Sequence, residues 1–274
     1  MQPATYIGGM YPLAGQPLYP ALWHGCVGAW APCLGPTGLT LRDWSGFANH
    51  GVLTNMDAST DWILGGGRNA LYFDNSTNYV SCGLNPGLQL TSRGTLSAWI
   101  RKRSTNTNCG IIGNIFNNNF TGGFGLLYRS GVPTAVVSNA FTFSFISAAS
   151  DTLSNAVWYH LAFTFTGSTL TIYLDGKVLV TGSQATTASG GGTSILIGNS
   201  WASTPSIIYP WIGDLDCLMM HNRALTQGEV QMLASRRGIA YELAPRRRSR
   251  IFTGGGFKAY WAARKALIQL AGTN

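Results

Sequence analysis

An all-β fold, two antiparallel sheets packed face to face, is what this sequence predicts, and three observations carry the prediction. From Leu39 onward the chain runs as short apolar stretches bounded by Gly, Asn, Ser and Asp, as strands separated by turns do. Within those stretches Leu96, Ala98 and Ile100 alternate with Ser97, Trp99 and Arg101, the period of two of a half-buried strand. Charged residues are only 10% of the 274 while 35 are glycine, so the surface must be built from Ser, Thr, Asn and Gly in loops. A chain of this length holds one such domain with extensions, divided here into an arm (1–36), the sandwich (37–238) and a tail (239–274).

The arm carries Tyr6, Tyr11, Tyr19, Trp23 and Trp30 between Pro12, Gly15, Pro17 and Pro20. That spacing of turn formers rules out a regular helix or a long strand, and so many aromatics argue for order against the sandwich or a neighbouring subunit. In the sandwich, Trp158 to Phe165 and Leu170 to Leu174 flank Gly167-Ser168, and Asp175-Gly176 leads into Lys177-Val178-Leu179-Val180; both pairs of residues read as hairpin turns. A helix is predicted after Leu225, with Thr226 as N-cap and Glu229 completing a capping box. Val230 and Leu233 would face the sandwich, Arg236 and Arg237 would complement the helix dipole, and Gly238 would stop it.

The tail changes character. Arg246, Arg247, Arg248 and Arg250 form a basic linker, Gly254-Gly255-Gly256 a hinge, and Tyr260, Ala263, Leu267 and Leu270 recur at helical spacing. This segment reads as a docking element, the arginines supplying attraction and the Tyr260–Leu267 face an apolar anchor. Half of the 18 Lys and Arg residues fall after Glu229, so the net charge of +8 belongs mainly to the tail and does not make the sandwich a nucleic-acid binder. No run of eighteen apolar residues exists to span a membrane, and the N-terminus does not read as a secretory signal.

Five cysteines without CxxC spacing argue against a thiolate metal centre; Cys26 and Cys33 are close enough to bridge a loop, whereas Cys82 and Cys217 sit in apolar strand contexts that suit free thiols. The two glutamates, Glu229 and Glu242, lie in or beyond the closing helix, leaving no acidic strand of the kind a sandwich glycosidase needs. A non-enzymatic protein is expected. Exposed loop aromatics could stack on sugar faces, and Trp62, Trp201 and Tyr209 are the candidates; packing against the aromatic arm explains them equally well. Asn114 to Phe120 reads as a loop tip.

Seven segments in order resemble one family. They are Asp43-Trp44-Ser45-Gly46 with Asn49-His50-Gly51, Ala70-Leu71-Tyr72-Phe73-Asp74, Tyr79-Val80, Thr95 to Ile100, Trp158-Tyr159-His160-Leu161-Ala162, Leu170 to Gly176, and Asp216 to Leu225. Over roughly residues 40 to 236 the chain is similar to concanavalin A-like, laminin G-like jelly rolls, which implies a jelly-roll sandwich. The resemblance further implies a structural calcium held by Asp43, Asn49 and Asp216, although Cys217 stands where the family frequently has a second Asp. Similar domains with a proline-rich start and an Arg-rich, Gly-hinged end occur in bacteriophage and bacterial surface proteins. The expected role is therefore a tailed-phage virion structural or decoration protein, oligomeric, contacting other capsid or tail proteins and host-surface glycans. A bacterial lectin-like surface module is the alternative, and a sandwich glycosidase the third.

Overall fold

Alternation of apolar and polar residues gives strands, and burial of the apolar sides gives two stacked sheets. The computed structural model describes residues 15–74, 77–104, 108–115, 122–139, 141–189, 193–199, 201–203, 206–207 and 209–244, with the side chains of 201–203 and 206–207 left aside. In chain order the strands are β1 (Cys26–Trp30), β2 (Thr40–Leu41), β3 (Gly51–Thr54), β4 (Trp62–Gly65), β5 (Arg68–Phe73) and β6 (Tyr79–Ser81). There follow β7 (Gly94–Lys102), β8 (Asn108–Gly113), β9 (Gly123–Arg129), β10 (Val132–Ser138), β11 (Phe143–Ser147) and β12 (Trp158–Phe165). The last six are β13 (Thr169–Leu174), β14 (Lys177–Ser183), β15 (Leu196–Ile197), β16 (Trp201–Ser203), β17 (Ser206–Ile207) and β18 (Gly213–His221). One α-helix, α1 (Gln227–Ala234), closes the described chain, and no helix among the described residues is long and apolar enough to cross a membrane.

The first sheet runs β14-β13-β12-β7-β18-β5-β4 and the second β11-β10-β9-β8-β15-β6-β3-β2, all pairs antiparallel. Between them lies one core that includes Leu96, Ala98 and Ile100 of β7, Phe163 and Phe165 of β12, and Phe124 and Leu126 of β9. The residues of β7 read from sequence as inward do enter this core, but the strand is covered on its other face too, since Thr95 and Ser97 are also buried and only Trp99 and Arg101 are partly exposed. Asp175 and Gly176 both adopt left-handed φ, 47° and 76°, as a two-residue hairpin of this type demands.

β18 is the strand on which the molecule is organised. Gly213 to Leu215 pair with β5, while Leu218 to His221 pair with β1 along the same edge. On its other side β18 pairs with β7, with a bulge between Asp216 and Met219. The extra residue is Cys217, at φ 48°. A bulge resets the alternation, so Leu215, Leu218 and Met220 all enter the inter-sheet core, while Asp216 and Cys217 stay out of it.

The outer face of this sheet is covered by the chain's own ends. Leu22, Cys26 and Ala29 pack with Met219, Leu225, Val230, Leu233, Ile239 and Ala240 into a second core, joined by Tyr19, Trp23 and Tyr241. Pro17 and Leu243 form an antiparallel bridge, and Gly15 N–H donates to the Ala244 carbonyl at 3.2 Å. Residues on both sides of the sequence boundaries at 36/37 and 238/239 thus pack on one body. The arm contributes one short strand: Cys26–Trp30 is held by β18, and Gly28 is required there because a Cβ would lie 2.4 Å from the Trp30 ring.

The capping box of α1 forms as predicted, Thr226 accepting from Glu229 N–H and Glu229 accepting from Thr226 N–H. Arg236 and Arg237 do not serve the dipole. Arg236 pairs with the partly exposed Glu242, and Arg237 reaches to Asp216, whose buried carboxylate draws a guanidinium more strongly than a solvated helix end does.

Candidate functional site

Asp43, the head of the opening motif, sits 5% exposed at the base of a turn. Its Oδ1 accepts from Ala29 N–H and Ser45 N–H, both at 2.9 Å, and its Oδ2 from Ser45 Oγ–H at 2.7 Å and Asn49 N–H at 2.8 Å. Asn49 in turn gives its side-chain N–H to the Val27 carbonyl, and its own carbonyl accepts Trp30 Nε1–H, both at 2.8 Å. The motif therefore ties β1 to the following turn.

Asp216 is fully buried, and its Oδ1 accepts two backbone N–H groups, from Cys33 at 2.8 Å and Cys217 at 2.7 Å. Its Oδ2 faces Arg237 Nε at 3.2 Å, an ion pair without a well-directed hydrogen bond. Burial pushes this carboxyl above its ordinary range, with Arg237 and the two amides opposing. Calcium needs six to eight oxygens free to turn toward it. Here the structure brings Asp43 and Asn49 together, but through the Asn49 backbone N–H; four donors already occupy the Asp43 oxygens, and Asp216 faces two backbone amides and Arg237. The three residues do not fit that ion.

Beside Asp216 the sheet carries an arginine–aromatic cluster in which Arg103 is exposed, Arg101 and Trp158 are half-buried and Arg237 is buried. Asp214, buried on β18, is paired with Arg101 Nε and with Arg103 Nε, the latter at 3.0 Å. Arg103 lies over the Tyr72 ring at 4.3 Å, while Arg101 and Arg237 both lie over Trp158, at 5.1 and 4.1 Å. Arg237 also donates to the carbonyls of Gly65 and Arg68, at 2.6 and 3.2 Å. Arg68, Arg101, Arg103 and Arg237 against Asp214 and Asp216 leave this patch at +2 by count of the residues named. Guanidinium planes flanked by aromatic faces suit a ligand with an anionic oxygen and an apolar face. Sequence reasoning missed the patch, since its parts come from β5, β7, β12, β18 and the segment after α1; the alternation that sends Trp99 and Arg101 outward on β7 was the available signal.

The sugar-stacking candidates are scattered. Trp62 is half-buried on β4, packs on the inter-sheet core and donates its indole N–H to the Gly38 carbonyl at 2.9 Å. Tyr209 is half-buried, its amide N–H on Asn199 Oδ1 at 2.9 Å. The side chain of Trp201 and the docking residues Arg246, Arg247, Arg248, Arg250, Tyr260 and Leu267 lie outside the described residues, as do Phe116 to Phe120 of the loop tip.

All ten carboxylates are described, and their partners bear on catalysis. Besides Asp43, Asp214 and Asp216, Asp57 binds Ser59, and Asp61 accepts from Asp57 N–H. Asp74 holds Asn78, Asp151 binds Lys102 and Tyr128, and Asp175 accepts from His160 N–H. Glu229 pairs with Arg223 and Glu242 with Arg236. Each has a structural task. The thiols follow the sequence expectation in part: Cys82 and Cys217 are buried and free, but Cys33 lies 3.1 Å from Cys217, sulfur to sulfur, and Cys26 contacts the Gly28 carbonyl at 3.4 Å rather than Cys33.

No curated protein matches the chain, but solved structures do. The binding domain of Paraclostridial Mosquitocidal Protein 1 is similar at 18% identity and TM-score 0.59, over 78% of this chain and 52% of that one; this chain spans about half of its length. Domain 4 of an extracellular arabinanase from Geobacillus stearothermophilus, solved with arabinotriose, aligns at 17% identity and TM-score 0.58, over 76% of this chain and 98% of its own. The CBM40 of the Ruminococcus gnavus IT-sialidase, solved with α2,3 sialyllactose, aligns at 14% identity and TM-score 0.51, over 60% of this chain and 96% of its own. These likenesses establish the fold. A family model, Laminin_G_3, matches residues 74–231, more than half of the sequence and the stretch from just after β5 into α1, and the chain therefore belongs to the concanavalin A-like lectin/glucanases superfamily.

Proposed function

We propose that this is a non-enzymatic contact protein, a tailed-phage virion structural or decoration protein whose sandwich is displayed on the particle to stabilise shell or tail and to touch host glycans. The observation that carries the reading is the pairing of Pro17 with Leu243 and of Gly15 with Ala244, which makes both extensions leave the sandwich at one place. A body gripped at a single base by two tails, one of them basic, is suited to anchorage with the rest held outward. Several copies on one particle would compensate for weak contact by each. The test is deletion of residues 245–274: the truncated chain should fold with unchanged thermal stability yet fail to join particles. Undiminished incorporation sinks the reading.

The arginine–aromatic patch favours a second reading, a bacterial surface module that binds glycans in its own right. Residues 15–244 applied to a glycan array separate the two. Strong binding by the monomer, abolished when Arg103 and Trp158 are replaced, would favour the lectin.

A further inference from the structure

Of the five cysteines, four are buried and only Cys33 is partly exposed. Cys33 follows β1 in the short turn Pro32–Leu34, 184 positions before Cys217, yet the two sulfurs are 3.1 Å apart. Two separate devices bring them there. One oxygen of Asp216 accepts the backbone N–H of both cysteines, which fixes the two Cα positions side by side. The bulge then turns Cys217, at φ 48°, away from the core and onto the outer side of the sheet with Cys33. A non-glycine residue held in that region of backbone space is costly unless the surroundings impose it.

We propose that Cys33 and Cys217 are a dithiol modification site, closing to a disulfide when the protein meets a small-molecule disulfide of the oxidised-glutathione class. Closure needs the sulfurs to approach by about 1 Å, a side-chain adjustment. Exchange begins at the accessible partner. The Cys33 sulfur, having lost its proton, attacks one sulfur of the oxidant and expels one thiolate; the Cys217 sulfur, likewise deprotonated, attacks Cys33 and expels the second. Two protein thiols are oxidised, the oxidant is reduced to two thiols, and the two protons pass to those leaving groups. Burial holds the Cys217 thiol well above its ordinary pKa, with Cys33 and Asp216 adding to the effect, so the second step is the slow one. The product joins the N-terminal segment to the central strand outside the main core. A bridge closing so long a segment restricts the unfolded chain strongly.

The experiment uses the full-length protein, reduced and then incubated with oxidised glutathione, alkylated in denaturant, digested and read by mass spectrometry. A linked Cys33–Cys217 peptide pair is expected, with an intact protein lighter by two hydrogens and a Tm higher by about 5–10 °C, all reversed by dithiothreitol. Cys33→Ala, at the partly exposed position, should fold and lose both effects. Alkylation of both residues after oxidation, a lasting glutathione adduct on Cys33, or linkage to Cys26 would each overturn the proposal, and a linked pair without a rise in Tm would overturn its stapling role.

Discussion

Replacing Asp43 with alanine removes one acceptor from four donors at once. Ser45 Oγ and Ser45 N–H can turn to water, since Ser45 is half-exposed. Ala29 N–H and Asn49 N–H cannot, because Ala29 is fully buried and Asn49 is 5% exposed. Leaving a buried donor unpaired costs about 1–3 kcal/mol, so two of them give an expected loss of about 4 kcal/mol, a large part of the 5–15 kcal/mol that holds an ordinary domain. Asp43→Asn should cost less, about 2 kcal/mol, because one oxygen survives and the new amide opposes only Asn49 N–H, the Ser45 hydroxyl being able to donate to the Val27 carbonyl and accept from that amide. Guanidinium unfolding followed by tryptophan fluorescence suits the question, since buried Trp30 is bonded to Asn49 in the same knot. The midpoint should fall at unchanged m-value, and neither calcium nor a chelator should move the wild-type midpoint. An alanine variant within 1 kcal/mol of wild type, or a wild type that calcium stabilises and the variant ignores, would refute the reasoning.

Acid should weaken the fold through two histidines. Burial lowers His160 to about 3 and His221 to about 4, below the ordinary 6.5, so each stays neutral when folded while the unfolded chain takes up a proton. Their contribution is complete above pH 6.5 and is lost as pH falls toward the folded values; between pH 7 and 5 the loss is about 2 kcal/mol for each. Denaturant midpoints measured across that range should show the slope, and His221→Gln should roughly halve it; a flat profile counts against both assignments. At the closing helix, Arg223 holds the Glu229 carboxyl down at about 2, and Glu229 also caps Thr226. Glu229→Gln, which keeps the cap but not the ion pair, should cost about 1 kcal/mol and Glu229→Ala about 2 kcal/mol, readable as two separated melting curves; equal melting would mean that the cap contributes nothing.

Local chemistry made much of this molecule legible. Hairpins at Gly167-Ser168 and Asp175-Gly176, the inward set of β7 and the Thr226–Glu229 cap all depend on neighbours within a few residues, and the sequence states them directly. What depended on distant partners stayed hidden. Cys26–Trp30 becomes a strand because β18, some 190 residues later, offers an unpaired edge beyond β5. Arg237 looked like a helix-end charge until Asp216 proved to be buried within its reach. Cys33 and Cys217 have no spacing to betray them, and the arginine–aromatic patch is assembled from five parts of the chain. Asp43 was found at once by its motif, but its task, accepting hydrogen bonds from both sides of a turn, was visible only with the donors in place.

The single bridge where the two ends meet also sets how the molecule answers force. Pulling the two extensions apart loads the Gly15–Ala244 hydrogen bond first, then the Ala244–Gln16 and Leu18–Glu242 bonds on either side of the Pro17–Leu243 bridge, which yield one after another, like a zipper, before either sheet is strained. Pulling both in the same direction divides the load between β1, seated along β18, and α1, seated in the second core. Anchored through both tails, the sandwich would resist shear in bulk flow and give way first at its base.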